Sequence, residues 1–342
     1  MPPRTCPAAS APNLRSLRRR VTAFAAAFSL VALSASPAMA QAPASEKFPS
    51  QTVTIVVPFP AGGSTDFFAR TMAQALSDAW KVSVVVDNKV GAGGNVGADF
   101  VARSAANGYT IMVGAVSTVT NPPLYKVPTY VPRVLVPLGV GVSSPLVTVA
   151  RNDLPAKDIP SMLALSQSTP NGLNAGSAGA GTLSHLGLAL LESDHKGRIN
   201  HIPYKGSTPA LTDVMGGQVD IMIDTITSAG PIIASGKVKA LAVHTPRRTS
   251  VLPGVPTYEE QGVKGMTFAA WNMFMAPAGT PADRIATLHA AMARIVRDPA
   301  VVKSMADRGL DLIVQTPAES LEFIRTDAQR WERVIKDKNI SM

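Results

Sequence analysis

Residues 51–76 read QTVTIVVPFPAGGSTDFFARTMAQAL, and this stretch decides the fold. Thr52–Val57 is a run of β-branched residues that stops at Pro58, which predicts a strand. A turn rich in glycine and proline follows, and apolar residues then recur every four positions in Thr65–Ala79, which predicts a helix. A strand, a glycine turn and a helix in this order begin a βαβ unit, from which parallel sheets are built.

The same rhythm recurs along the chain. Further strands are predicted at Val82–Asp87, Tyr109–Gly114, Leu146–Ala150, Leu173–Gly176, Ile199–Pro203, Val219–Asp224 and Lys239–His244. Helices are predicted at about Asn95–Ala105, Ile159–Gln167, Leu183–Glu192, Thr208–Met215, Ser228–Ala234, Asp283–Val296 and Ala318–Lys336. The last part, Pro281–Ile335, is predicted to be almost entirely helical. Apolar strands that alternate with helices form mainly parallel sheets covered on both faces, so the predicted fold class is α/β.

Two extended segments indicate that the chain passes between two domains. They lie near Ser143–Pro145 and Ala270–Ala276, and both are candidate hinge strands. On this interpretation domain I is discontinuous and contains residues 47–145 and 272–342, whereas domain II contains residues 146–271. A ligand cleft is expected between the domains, because open α/β sheets bind ligands at the carboxyl ends of their strands.

The first forty residues have the layout of a cleaved signal peptide. A basic region ends at Arg20, an apolar run follows from Val21, and Ala38-Met39-Ala40 forms an A-x-A cleavage site, so cleavage is predicted after Ala40. A retained membrane anchor is the alternative, although the apolar run is short for a membrane span. The only cysteine, Cys6, lies before the apolar run, so the mature chain is predicted to have no disulfide.

The net charge of +9 gives no reason to expect a nucleic-acid partner. Five of the 32 basic residues lie in the predicted signal peptide, where no acidic residue occurs. The remaining chain has 27 basic residues against 23 acidic ones, an ordinary balance for a secreted protein.

Three glycine-rich turns each follow a predicted strand and precede a helix: Pro58–Asp66, Gly91–Gly97 and Ser177–His185. Free N–H groups at a helix start favour an anion, and serine and threonine hydroxyls add donors there. The simpler interpretation is that each segment is only a good turn and helix cap. Phosphate motifs do not fit, because no G-x-x-x-x-G-K-[ST] occurs and Val96 stands where a dinucleotide fingerprint needs its third glycine.

The chain resembles the solute receptors of tripartite tricarboxylate transporters, the Bug receptor family. The matching segments keep their order over roughly 290 residues: VVPFPAGGSTD at Val56–Asp66, GAGGNVG at Gly91–Gly97, NPPLY at Asn121–Tyr125, AGAGTLSH at Ala178–His185, PYKGS at Pro203–Ser207, GGQVD at Gly216–Asp220 and APAGTP at Ala276–Pro281. One departure touches the expected pocket rim, where Val119 stands at a position that is commonly histidine in the family.

The resemblance implies a two-lobed fold like that of type II periplasmic binding proteins, which works with the membrane components of a transporter. It also implies that neutral donors and waters hold a ligand carboxylate in the cleft. Carried over, the binding residues of domain I are Phe59, Ala61, Gly62, Ser64, Thr65 and Asp66. Those of domain II are Ser177, Ala178, Gly179, Thr182, Ser184 and His185, with Tyr204, Lys205 and Gly206 nearby.

Asp224 has two interpretations that the sequence leaves open. It ends a predicted strand just before a short helix, so it could be the N-cap of that helix. It could instead face the ligand, where a carboxylate would repel a second ligand carboxylate and favour an ammonium or a hydroxyl.

Catalytic and metal-binding patterns are not found. The sequence contains no H-E-x-x-H, C-x-x-C or G-x-S-x-G, and its five histidines lack metal-ligand spacing. We therefore predict a periplasmic solute-binding protein that is no enzyme, needs no cofactor or metal and acts as a monomer. The alternatives are an exported α/β enzyme acting on a small organic acid and a secreted scaffolding protein. The identity of the ligand stays open among dicarboxylates, tricarboxylates, aromatic acids, amino acids and neutral carboxylate-bearing compounds.

Overall fold

The structure is a computed structural model that describes residues 48–125 and 134–340. The predicted signal peptide and its cleavage site lie outside the described residues. Within the described ranges, no helix combines the length and the apolar character that a membrane span requires.

The first lobe is built on a mixed sheet. Its strands are β1 (Val53–Val57), β2 (Val84–Asn88), β3 (Thr110–Ala115), the first part of β4 (Leu135–Ala150), β9 (Ala269–Pro277) and β10 (Asp311–Val314). Strands β2, β1 and β3 are parallel, whereas β9 runs antiparallel between β3 and β4. Its helices are α1 (Ser64–Trp80), α2 (Asn95–Ala102), α3 (Ser117–Tyr125), α8 (Ala282–Ile295), α9 (Pro299–Ala306) and α10 (Pro317–Asp337).

The second lobe is built on the other end of β4. Its strands are β5 (Leu173–Ser177), β6 (Ile199–Pro203), β7 (Ile221–Thr225) and β8 (Lys239–Val243), with β5 parallel to β6 and β7. Its helices are α4 (Ile159–Ser168), α5 (Leu183–His195), α6 (Ser207–Met215) and α7 (Ile226–Ala234). The predicted α/β class is thereby confirmed.

Strand β4 joins the two sheets. Its residues up to Pro145 pair with β9, and from Leu146 onwards it pairs with β7 and β8. The two predicted hinge segments therefore lie side by side in β4 and β9, with Ser144 opposite Ala270. The boundaries of the predicted domains stay a prediction, although the change of sheet at Pro145 agrees with the boundary placed there.

The predicted apolar face of α1 packs as expected. Phe68, Met72 and Leu76 are fully buried against the first sheet, because a spacing of four residues keeps them on one side of the helix. Truncating one such side chain to alanine typically costs about 2–5 kcal/mol of stability. This packing fixes the N-terminus of α1 at the carboxyl end of β1.

Three elements differ from the prediction. Helix α3 was not predicted, because Pro122 and Pro123 disfavour a helix, yet both lie inside it. Strand β10 interrupts a region predicted to be almost entirely helical, and its four residues pair with the edge of β4. The first part of β4, a strand of 16 residues, was not predicted. It contains Gly139 with a φ of 83°, and a glycine inside a strand weakens the pattern that predicts one.

Candidate functional site

A cavity of about 80 Å³ lies between the lobes. Five helices each place a residue of their first turn or cap in the cavity lining: Ser64 of α1, Ser117 of α3, Leu183 of α5, Ser207 of α6 and Thr225 before α7. The first N–H groups of a helix have no partner inside it and carry the positive end of its dipole. Five helix N-termini thus converge on one small space, which favours an anion there.

The cavity has a mixed lining with few charges. The residues that line it are Phe59, Pro60, Gly63, Ser64, Thr65, Ala115, Val116, Ser117, Leu146, Ala178, Thr182, Leu183, Ser184, Ser207, Asp224, Thr225, Ala270, Trp271 and Asn272. Asp224 is the only titratable side chain among them, and none is basic. An anion in this cavity would therefore be held by neutral donors.

Asp66 stabilises the turn after β1 by hydrogen bonds, from outside the cavity lining. This buried carboxylate accepts hydrogen bonds from the Gly62 N–H at 3.0 Å, from Arg70 Nε at 2.9 Å and from Asn88 Nδ2 at 3.0 Å. Burial alone would raise the pKa of Asp66, but these hydrogen bonds hold it below its ordinary value. Asp66, Ala61 and Gly62 are not among the lining residues, so of the predicted first-lobe set Phe59, Ser64 and Thr65 line the cavity.

Two histidines brace the turn before α5. His185 Nδ1 accepts a hydrogen bond from the Gly181 N–H, and the ring of His185 stacks on that of His201 with centroids 4.2 Å apart. Ser177 Oγ accepts from the Gly179 N–H and lies 2.7 Å from His201 Nε2. Burial lowers the pKa of His201 to about 4, with the neighbouring imidazole adding to the effect. Ser177, Gly179 and His185 therefore shape the turn from outside the cavity lining.

The lining residues of this turn have their hydroxyl protons already engaged. Thr182 Oγ1 donates to the Gly179 carbonyl at 2.6 Å, and Ser184 Oγ donates to the Ile223 carbonyl. Their oxygen lone pairs remain available, whereas the Thr182 N–H also donates to the Gly179 carbonyl. In contrast, Thr65 Oγ1 accepts from Asn272 Nδ2 at 2.9 Å, which leaves its own proton free for a ligand.

Tyr204, Lys205 and Gly206 lie beside the cavity, outside its lining. The Tyr204 N–H donates to the Ser177 carbonyl, and Lys205 is exposed. Gly206 packs against the first lobe so closely that a Cβ on it would lie 2.4 Å from Pro60 Cδ. Of these three residues, Gly206 supports the contact between the lobes.

Direct hydrogen bonds join the lobes around the cavity. Thr120 Oγ1 donates to the Gly181 carbonyl at 2.6 Å, and Thr208 Oγ1 donates to the Ala61 carbonyl at 3.0 Å. Gly181 also meets Asn121, because a Cβ on this glycine would lie 1.8 Å from Asn121 Oδ1. The lobes are therefore in contact across the rims of both turns.

Asp224 lies in the cavity wall and does not cap the following helix. Thr225 occupies the N-cap position of α7, so the interpretation of Asp224 as that cap is wrong. Asp224 is 3% exposed, and its Oδ1 accepts a hydrogen bond from Ser207 Oγ at 2.7 Å. Burial raises the pKa of Asp224 to about 7, although the hydrogen bonds from Ser207 and Thr225 act in the opposite direction.

Several lining residues escaped the sequence analysis. Asn272 reaches the cavity because β9 pairs with both β3 and β4, placing it opposite Ala115 and Val142. Its neighbour Trp271 was expected at the cleft, because it lies in the predicted hinge segment Ala270–Ala276; it lines the cavity, and its Nε1 donates to Asp327 at 2.8 Å. No local motif marks Asn272, whereas Ser207 could have been found as the residue just before the predicted helix Thr208–Met215. Among the described residues, no group of three His, Cys, Asp or Glu side chains could hold a metal ion.

Comparison with a family model and with known proteins shows what this chain is similar to. Residues 68–340 match the model of the family described as the tripartite tricarboxylate transporter family receptor. The chain is 34% identical to protein BugT of Bordetella pertussis over 295 residues, which are 85% of this chain and 90% of BugT.

Two solved structures are also similar. Rpa4515 of R. palustris, solved with adipate, is 31% identical with a TM-score of 0.83, covering 86% of this chain and 99% of that one. MatC of Rhodopseudomonas palustris, solved with bound malate, is 33% identical with a TM-score of 0.78, covering 84% of this chain and all of the other. The resemblance read from the sequence motifs is thereby confirmed, together with the two-lobed periplasmic binding protein fold.

Proposed function

Because the chain belongs to the receptor family of tripartite tricarboxylate transporters, we propose that it captures a small carboxylate and delivers it to the membrane components of such a transporter. The observation that carries this proposal is the convergence of five helix N-termini on a cavity with no basic side chain. Each N-terminus stabilises an anion by about 0.3–1 kcal/mol when exposed and by up to about 2 kcal/mol when partly buried. Several together can hold a carboxylate without a salt bridge.

The proposed contacts come from both lobes. Ser64, Thr65 and Ser117 supply hydroxyls from the first lobe, and the N–H groups at the start of α5 face them from the second lobe. Asp66 and His185 fix the conformation of the two turns by accepting hydrogen bonds from backbone N–H groups of those turns. A hydrogen bond to a charged group contributes about 1.5–3 kcal/mol, so three such contacts at the upper end of this range correspond to roughly micromolar binding.

Opening of the cavity is proposed to occur at β4 and β9, where both hinge segments lie. A ligand shifts the balance between open and closed forms only through its preference for the closed form. Residues that contact the carboxylate from both lobes supply this preference.

The proposed location is the periplasm, as the family implies. Export would follow from the predicted signal peptide, with mature protein beginning at Gln41. N-terminal sequencing of the exported protein tests this, and a mature chain that retains Arg18–Arg20 would contradict it.

The proposed function is tested by thermal unfolding in the presence of single carboxylates, after bound ligand has been removed by unfolding and refolding. Stabilisation by RT ln(1 + [L]/Kd) without any conversion of the acid, followed by NMR, is expected. Conversion of a stabilising acid into a product would favour the alternative of an exported enzyme. Stabilisation by no carboxylate would contradict a receptor function.

A further inference from the structure

The cavity contains a buried acceptor that no described residue satisfies. Oδ1 of Asp224 takes the hydrogen bond from Ser207, but Oδ2 is buried and has no partner among the described residues. Buried polar atoms are almost always hydrogen-bonded, because an unpaired one loses its hydration without compensation. An unpaired carboxylate oxygen in a binding cavity therefore calls for a donor from the ligand.

The surroundings of Asp224 offer no substitute for that donor. No lysine, arginine or histidine lines the cavity, and Val147 and Leu146 of β4 pair with Asp224 and Thr225 on the adjoining strand. In the described part of the chain, Ser207 is the only side chain that donates to Asp224, and it uses the other oxygen. The helix N-termini supply hydrogen-bond donors, which suit an anionic group of a ligand. Asp224 supplies a hydrogen-bond acceptor, which suits a donor group.

Asn272 adds a second acceptor to the same cavity. With its Nδ2 donating to Thr65 Oγ1, its Oδ1 is buried and also has no partner among the described residues. Two unpaired acceptors in the same cavity favour a ligand with N–H or O–H groups of its own.

We propose that Asp224 is a specificity residue that binds a hydrogen-bond-donating substituent of the ligand, an ammonium or a hydroxyl, while the helix N-termini bind its carboxylate. The substrate class is then an amino-substituted or hydroxy-substituted carboxylic acid. This inference rests on the proposed receptor function and makes it narrower. A plain dicarboxylate would bring its second negative charge towards a buried carboxylate and leave Oδ2 unpaired.

The test uses two matched series of acids that differ in a single substituent. Succinate, malate and aspartate form the first, and glutarate, 2-hydroxyglutarate and glutamate form the second. Their Kd values are measured by calorimetry on ligand-free wild-type protein at pH 8, where Asp224, with a pKa of about 7, is mainly ionised. In at least one series we expect the amino or hydroxy acid to bind at least tenfold more tightly than the unsubstituted acid.

The variant Asp224→Asn then assigns that preference to the carboxylate. The substitution replaces the unpaired Oδ2 by an amide N–H donor. The preference in affinity for the substituted acid over the unsubstituted one is therefore expected to fall below threefold. Asp78→Asn makes the same chemical change on an exposed position of α1, and its preference should equal that of the wild type.

The wild-type measurement decides the proposal even if the Asp224 variant does not fold. Equal or tighter binding of the unsubstituted acids would overturn the inference and leave the receptor function standing. A preference that survives in Asp224→Asn would also overturn it. If none of the six acids binds, the inference fails together with a receptor function for acids of this size.

Discussion

Replacing Asp224 with asparagine is expected to change how the stability of the ligand-free protein depends on pH. In the unfolded chain this carboxyl has its ordinary pKa of 3.8, whereas burial raises the pKa in the folded protein to about 7. The folded state therefore keeps a proton that the unfolded chain has lost between these values. This contribution to stability is complete below pH 3.8 and is lost as the pH rises through about 7.

The size of the effect follows from the two pKa values. One pKa unit corresponds to about 1.4 kcal/mol, so between pH 5 and pH 8 the wild type should lose roughly 2–3 kcal/mol of stability relative to the variant. Asparagine has no proton to lose in this range, so the variant lacks this dependence. Other titrating groups, such as His201, are present in both proteins and cancel in the difference.

The measurement is urea unfolding of both ligand-free proteins at pH 5, 6, 7 and 8. Ser207→Ala serves as a matched variant, because loss of its hydrogen bond to Oδ1 should raise the pKa of Asp224 further and move the decline to higher pH. A difference between wild type and Asp224→Asn that is constant from pH 5 to pH 8 would refute the reasoning and show that this carboxyl is solvated.

Three further predictions concern the site and the closure of the lobes. Ser64→Ala should weaken carboxylate binding by about 1.5–3 kcal/mol, roughly tenfold or more by calorimetry, because it removes a donor to a charged group; unchanged affinity would take Ser64 out of the site. Gly181→Ala should weaken binding far more than Gly217→Ala: both glycines have positive φ, 78° and 74°, but only a Cβ at Gly181 meets the other lobe, at Asn121 Oδ1. Equal losses in these two variants would mean that backbone strain, and not lobe contact, controls binding. Small-angle scattering should show compaction when a tight ligand is added, and an identical profile at saturation would remove hinge closure from the mechanism.

The first strand and the first helix show what local patterns can predict. The period of four in α1 and the β-branched run of β1 are short-range features, so the stretch at residues 51–76 was predicted within one residue at each end of both elements. Helix α3 and strand β10 were missed because their formation depends on neighbours distant in sequence. Tertiary contacts override the low helix propensity around Pro122 and Pro123.

The candidate site shows the same limit at the level of single residues. The sequence motifs predicted the positions of both turns. Within these motifs Ser64 and Thr182 line the cavity, whereas Asp66 and His185 stabilise the turns from outside the lining. Whether such a residue lines the cavity or stabilises the turn from outside depends on its hydrogen-bond partners. Those of Asp66 include Asn88 at the end of β2. Asn272, which completes the first-lobe wall, carries no local signal at all.

The sequence by itself determined the α/β class, the position of the glycine-rich turns before helices and the family, because these depend on periodicity and on contiguous motifs. Only the tertiary structure decided that five helix N-termini meet at one cavity and that Asp224 lies in its wall, one residue before the helix cap. The physical reason is that hydrogen-bond satisfaction is a property of the packed chain. Ser207 pairs one oxygen of Asp224 and nothing among the described residues pairs the other, and no pattern along the chain records that difference.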